Sequence, residues 1–198
     1  MKNSRVQKMV AIAMFAAMGL VLQYVAFPVI PAVPYLKVDF SDIPVMLSMF
    51  LFGPLAGIVT AFIRSTLHLL TTGFEPTNMV GDIASFLATS AFALPMYYFF
   101  KGKGGTRNKV FGIISGILAL TIFMSIANYF VITPIYLQVS GLSAQEMLQM
   151  SLANYIAVAI IPFNLIKGGL VSAVFLVLHA KLLPWLSKRQ YQRQVTIK

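Results

Sequence analysis

Residues 43–70 read IPVMLSMFLFGPLAGIVTAFIRSTLHLL. This apolar stretch decides the fold. The hydrocarbon core of a bilayer is about 30 Å thick and takes about 20 helical residues to cross. The stretch is therefore too long for one crossing and short for two. Phe52-Gly53-Pro54-Leu55 breaks it near its middle, because proline cannot continue a helix that precedes it. Upstream, FPVIPAVPYLKVDFSDIP carries Pro28, Pro31 and Pro34 and cannot be a regular helix. It reads as a long first outer loop. Before it, residues 8–27 form a first span. After Gly73-Phe74-Glu75-Pro76, further spans are expected at 80–100, 110–137 and 151–186, the last with Pro162 inside.

Charge decides how the broken stretch crosses. Twelve of the 15 Lys and Arg residues fall in three short segments. They are Lys2, Arg5 and Lys8; Lys101, Lys103, Arg107 and Lys109; and Lys181, Lys188, Arg189, Arg193 and Lys198. Basic segments stay cytoplasmic. If residues 43–70 crossed once, the 101–109 loop would lie opposite the basic N-terminus. If they cross twice, as short helices at 43–53 and 55–71, all three basic segments share one side. All five acids, Asp39, Asp42, Glu75, Asp82 and Glu146, then lie in or beside outer loops. The expectation is an all-α membrane protein of six transmembrane helices. Both termini are cytoplasmic, the second and third helices are short, and residues 1–198 make a single integral membrane domain. Helices shorter than the bilayer need protein or a water-filled cavity around them, which suggests a binding cavity.

Composition agrees. The 198 residues are 59% hydrophobic and 10% charged, against about 45–50% and about 25% in a soluble domain. The net charge of +10 does not indicate nucleic acid, because no basic stripe is interleaved with stacking aromatics on a polar surface. The basic start followed by an apolar run resembles a signal peptide, but no polar mature domain follows. It reads as the first transmembrane helix. Cysteine is absent, which excludes disulfide and thiol chemistry.

Enzyme signatures are missing. There is no GxxxxGK[ST] phosphate loop, no GxSxG nucleophile elbow and no HExxH. His68 and His179 lie on different helices and read as packed or interfacial. No metal site and no catalytic residue is expected, since zinc needs three or four ligands and no acid lies deep in a span. Arg64 and His68 share a face at i, i+4. Arg64 is placed near the inner side, against lipid headgroups or a partner.

The informative polar residues lie within spans. Asn164 and Lys167 share a helix face at i, i+3. Lys167 lies 14 residues from Lys181, about 21 Å at 1.5 Å per residue. Asn128 lies 19 residues from Lys109, about 28 Å by the same rise. All three therefore reach the outer half of the membrane, where a lysine needs a cavity or a partner. Two amides and an ammonium suit a flat, neutral ligand edge of carbonyls, N–H groups and ring nitrogens. A phosphate would call for more cations. On the first helix, Ala13-x-x-x-Ala17 forms a small-residue ridge that permits close helix approach.

KVDFSDIPVMLSMFLFGPLAG after a proline-rich loop resembles the substrate-binding S components of energy-coupling factor (ECF) vitamin transporters. EPTNMVGDIASF, the span holding Asn128-Tyr129, and PFNLIKGG are similar to the riboflavin-specific members. The resemblance covers nearly the whole chain. It implies a vitamin-binding subunit of the bacterial plasma membrane that is not an enzyme and needs no cofactor. Its partners would be the bilayer, a transmembrane coupling subunit and two cytoplasmic ATPases, whose ATP cycle reorients it to deliver the vitamin inside. The resemblance implies that Asn128, Asn164 and Lys167 bond the isoalloxazine edge. It implies that Leu36 and Val38 cover the site, that Asn78 and Gly81 line it, and that Ala13 and Ala17 contact the coupling subunit. The alternatives are an S component for another vitamin, such as folate or thiamine, or an intramembrane enzyme. The lack of a deep acid argues against thiamine.

Overall fold

A computed structural model describes residues 2–30, 36–101, 105–143, 145–146 and 149–196, with side chains excluded at 2–4 and 182–196. Pro31, Pro34, Tyr35 and Lys103 of the sequence argument lie outside the described residues, as do the side chains of Lys2, Lys188, Arg189 and Arg193 and all of Lys198.

Helix α1 runs Lys2–Tyr24. It ends three residues before the expected boundary because Phe27–Pro28 forms a short strand, β1, antiparallel to β2 at Lys37–Val38. Helix α2 is Asp42–Phe52 and α3 is Pro54–Thr72. Gly53, at φ 98° and ψ 169°, ends one and starts the other, with Pro54 in the first turn of α3. Only glycine reaches that φ without strain, and proline at a helix start loses no hydrogen bond. Helix α4 is Pro76–Lys101 and α5 is Gly105–Ser140. Helix α6 comprises Leu152–Tyr155, a π-helical turn Ile156–Ile160, and Ile161–Thr196.

Five of these helices are long and apolar enough to cross a membrane; α2, with 11 residues, is a shorter apolar helix. The expectation of a short third helix is corrected, because α3 has 19 residues and is long and apolar enough to cross a membrane. Its polar positions remain helical because neighbours satisfy them. Thr60 Oγ1 donates to Ser48 Oγ on α2 at 2.7 Å, and Arg64 and His68 bond to α2 and α4.

The buried hydrophobic residues form two packed clusters. Met46 and Met49 of α2 pack against Phe92, Met96 and Tyr97 of α4, Leu120 of α5, and Val171 and Phe175 of α6. Beside the hairpin, Tyr155, Ile156, Ala159 and Ile160 pack with Leu36. The outward surface is equally apolar. On α5, Phe111, Ile114, Leu118, Ile122 and Ile126 are exposed at helical spacing, a stripe suited to lipid. This is a multi-pass membrane architecture.

The α4–α5 crossing depends on Gly116. A Cβ there would lie 2.8 Å from the Phe92 carbonyl oxygen and 2.8 Å from Met96 Cγ. A backbone oxygen cannot rotate away. At Gly169 a Cβ meets nothing within 4 Å. Gly116→Ala is expected to lose about 1–3 kcal/mol from overpacking, while Gly169→Ala loses nothing measurable. Thermal unfolding of the two variants in one detergent checks this. Equal melting temperatures would contradict the close crossing.

Candidate ligand-binding cavity

A cavity of about 480 Å³ lies between α4, α5 and α6, with Leu36 and Asp42 also in its wall. That volume lies within the usual range for small-molecule sites, about 300–1,000 Å³. Gly81, Ala84, Ser85, Ala88 and Thr89 of α4 line it. Their spacing, i, i+3, i+4, i+7, i+8, is one face of a helix. Small residues make that face flat. Opposite stand larger side chains: Leu120, Met124, Ile132 and Tyr136 from α5, and Tyr155, Ile160 and Phe163 from α6. A slot with one flat wall and one aromatic and aliphatic wall suits a planar ring system.

The polar groups enter at two π-helical turns. In α5 the turn is Asn128–Ile132, closed by the Thr133 N–H donating to the Asn128 carbonyl. In α6 it is Ile156–Ile160, closed by the Ile161 N–H donating to the Ile156 carbonyl. A π turn inserts a residue and re-aims the side chains around it, and such turns recur at functional sites. Asn128 Nδ2 donates to the Met124 carbonyl at 2.8 Å, and its Oδ1 accepts from Thr133 Oγ1 at 3.3 Å. Asn164 Nδ2 donates to the Ile160 carbonyl at 2.8 Å. Each amide is fixed through one N–H to its own helix, which leaves a second N–H to direct at a ligand. Asn128 and Asn164 are 7% and 2% exposed, and both line the cavity.

Lys167 lines the cavity too. Its Nζ donates to Asp39 Oδ2 at 3.2 Å and lies 3.8 Å from Asp42 Oδ2. Behind it, Arg64 is fully buried. Its Nη1 donates to Asp42 Oδ1 at 3.0 Å and Ser41 Oγ at 2.8 Å, and its Nη2 to Ser85 Oγ and Thr89 Oγ1, each at 3.0 Å. Thr89 Oγ1 donates to Asp42 Oδ1 at 2.6 Å. Burial alone would raise the carboxyl of Asp39, in the loop before α2. The Lys167 ammonium and the hydrogen bonds from Ser41 outweigh it, so the group is held below the ordinary carboxylate range.

One reading from sequence changes here. Arg64 does not face headgroups: a guanidinium cannot remain buried without partners, and it has four. The acids were expected in or beside loops, and two of them are buried and paired there. Asp42 and Asp82 are each 4% exposed, Asp42 against Arg64 and Lys167, and Asp82 2.8 Å from His68 Nδ1. His179 sits edge-on against Phe50, Phe100 and Phe175.

The other candidates divide. Leu36 and Gly81 line the cavity. Val38 is fully buried in the hairpin, outside the lining. Asn78 also lies outside it, donating through Nδ2 to the carbonyls of Thr72 and Gly73 at the end of α3. Ala13 and Ala17 lie on the exposed face of α1, while Ile12, Ala16 and Gly19 face inward. The α4 face and the Arg64–Asp42 pair were missed. The first was available as a helical stripe of small residues from Gly81 to Thr89. The second had no local signal.

The model of the family "ECF transporter, substrate-specific component" matches residues 7–179. The chain belongs to this family. Among its relatives, the "Riboflavin transporter RibU" of Staphylococcus aureus (strain TCH60) is 37% identical over 182 residues, covering 92% of this chain and 93% of that protein. The "Riboflavin transporter FmnP" of Bacillus subtilis (strain 168) is 34% identical over 187 residues, covering 94% and 97%. A solved structure, described as "Structure and mechanism of the S component of a bacterial ECF transporter", aligns with a TM-score of 0.75 at 36% identity. It covers 92% of this chain and 98% of that one.

Breaking the buried pair in this S component should unfold it. Asp42→Asn leaves Arg64 and Lys167 without their shared carboxylate, at a cost of about 3–5 kcal/mol. An exposed change such as Glu146→Gln, which keeps an amide oxygen to accept from Ser143, should cost little by comparison. Melting curves in detergent compare the two. An unchanged melting temperature for Asp42→Asn would refute the structural role of the pair.

Proposed function

We propose that this chain is the riboflavin-binding subunit of an ECF-type importer. The observation that carries the reading is the slot itself. Two cavity-facing amides, Asn128 and Asn164, flank a flat wall of small residues in a chain whose relatives are riboflavin transporters. Riboflavin has a planar, uncharged ring edged with carbonyls, an N–H and ring nitrogens. Amides and a single ammonium match that edge, while the aromatic and aliphatic wall packs on its face. Leu36 of the hairpin segment closes the slot on the loop side, with Val38 holding the hairpin in place and Gly81 admitting the ring close to α4. Asn78 supports this end of the cavity by tying α3 to the start of α4.

A thiazolium cargo fits less well. A carboxylate is in the wall, but Asp42 is already matched to Arg64 and Lys167. The protein is a transporter subunit, not an enzyme, and riboflavin is its cargo, not a cofactor.

In this reading residues 1–198 are one membrane domain of six spans with both termini in the cytoplasm of a bacterial plasma membrane. The vitamin enters from outside. A transmembrane coupling subunit and two ATPases supply the energy for delivery inward. Ala13 and Ala17 give that coupling subunit a ridge of small side chains on α1, on an exposed apolar face shared with Met9, Met14 and Met18.

Purified protein freed of ligand should quench riboflavin fluorescence saturably. Asn164→Ala and Lys167→Ala should each weaken the affinity by about tenfold or more, the loss of one hydrogen bond to a buried partner. Ala13→Leu with Ala17→Leu should leave that titration unchanged and abolish co-purification with the coupling subunit. Well-folded protein that does not quench riboflavin would overturn the assignment.

A further inference from the structure

Lys167 faces the cavity as a cation, yet it does not present a bare charge. Asp39 holds it at 3.2 Å and Asp42 lies 3.8 Å away, while Arg64 takes the other oxygen of Asp42. Two cations and two anions therefore cancel within one connected group. Of the four, Asp39 is the only one outside a helix. It sits one residue after β2, and its Oδ1 accepts from the Ser41 N–H at 2.8 Å. That bond aims the other oxygen at Lys167. The remaining pair, Arg64 and Asp42, is neutral by itself, so the charge felt in the cavity depends on whether Asp39 balances Lys167.

We infer that Asp39 is a specificity-determining residue: by cancelling Lys167 it makes the cavity prefer an uncharged flavin over a phosphorylated one. This rests on the reading of the cavity as a riboflavin site. In a partly enclosed slot, one uncompensated unit charge is felt several ångströms away, because the effective dielectric is below that of bulk water. Without Asp39, Lys167 would attract the phosphate of flavin mononucleotide. Without Lys167, the unbalanced Asp39 would repel it, since Arg64 still neutralises Asp42. Asp39 acts through Lys167 and the field around it, with no contact to the ring required. A loss of structure alone would weaken all flavins together, but a change of charge separates them.

The test is the ratio of dissociation constants for flavin mononucleotide and riboflavin, measured by fluorescence titration of the full chain in detergent. The wild type should favour riboflavin. Asp39→Asn should reduce that preference about tenfold, Lys167→Gln should increase it about tenfold, and Asp39→Glu should leave it in place. The opposite signs are the diagnostic result. Should Asp39→Asn fail to fold, Lys167→Gln decides alone: a rise supports the inference, and an unchanged ratio overturns it. Equal weakening of both ligands in Asp39→Asn and Lys167→Gln would also overturn it, while leaving the assignment of the cavity to riboflavin standing. Wild-type protein that binds no riboflavin would instead overturn the underlying reading of the site.

Discussion

Arg64 is fully buried in the middle of α3, and the surrounding helices are arranged around it. A guanidinium removed from water must find its hydrogen bonds inside the protein, or it costs more than the fold can supply. Ser41 and Asp42 come to it from the start of α2, and Ser85 and Thr89 come from α4. Gly19 lets α1 approach, since a Cβ there would lie 3.1 Å from Arg64 Cδ and 3.3 Å from the Ser41 carbonyl oxygen. Four helices are thus registered by one side chain. The same contacts carry charge balance into the cavity, because the Asp42 that neutralises Arg64 also faces Lys167.

The cavity follows from how the two long helices beside it are built. Both α5 and α6 carry a π-helical turn at the level of the slot. Each turn lies beside an asparagine whose side chain donates to a carbonyl of its own helix. The amides are thereby pre-oriented before any ligand arrives, which lowers the ordering cost of binding. α4 contributes the reverse property. Its small residues offer almost no side chain, leaving room for a ring to lie flat. Rigid amides on one side and an open wall on the other fit the proposed role of binding a planar cargo without altering it.

Much of the architecture was legible because bilayers impose long, simple signals. Gly53-Pro54 marked the α2–α3 break to the residue, since glycine's positive φ and proline's tolerance at a helix start are local properties. The polar residues Asn128, Asn164 and Lys167 stood out because such groups inside a span need a reason to be there. The pairings were not legible. Arg64 meets Asp42 across 22 residues, and Lys167 meets Asp39 across 128. No periodicity links positions on separate elements. The π turns were hidden for a different reason. One inserted residue leaves composition unchanged but shifts every later side chain around the helix, so counting by threes and fours through Asn128–Ile132 loses the face. Arg64 was misplaced by the same limit. Read along α3 alone it resembles an interfacial cation, and only α2 and α4 supply its partners.

The central claim is that the slot between the two π turns is where a neutral flavin sits, with Lys167 held by Asp39 while it does so. A structure of the protein saturated with riboflavin tests this most directly. The account predicts one flavin per chain, its ring against the face from Gly81 to Thr89 and its polar edge on Asn128 and Asn164. Lys167 should remain within hydrogen-bonding distance of Asp39. A flavin bound elsewhere, or a ring in the slot with Lys167 swung away from Asp39, would contradict it.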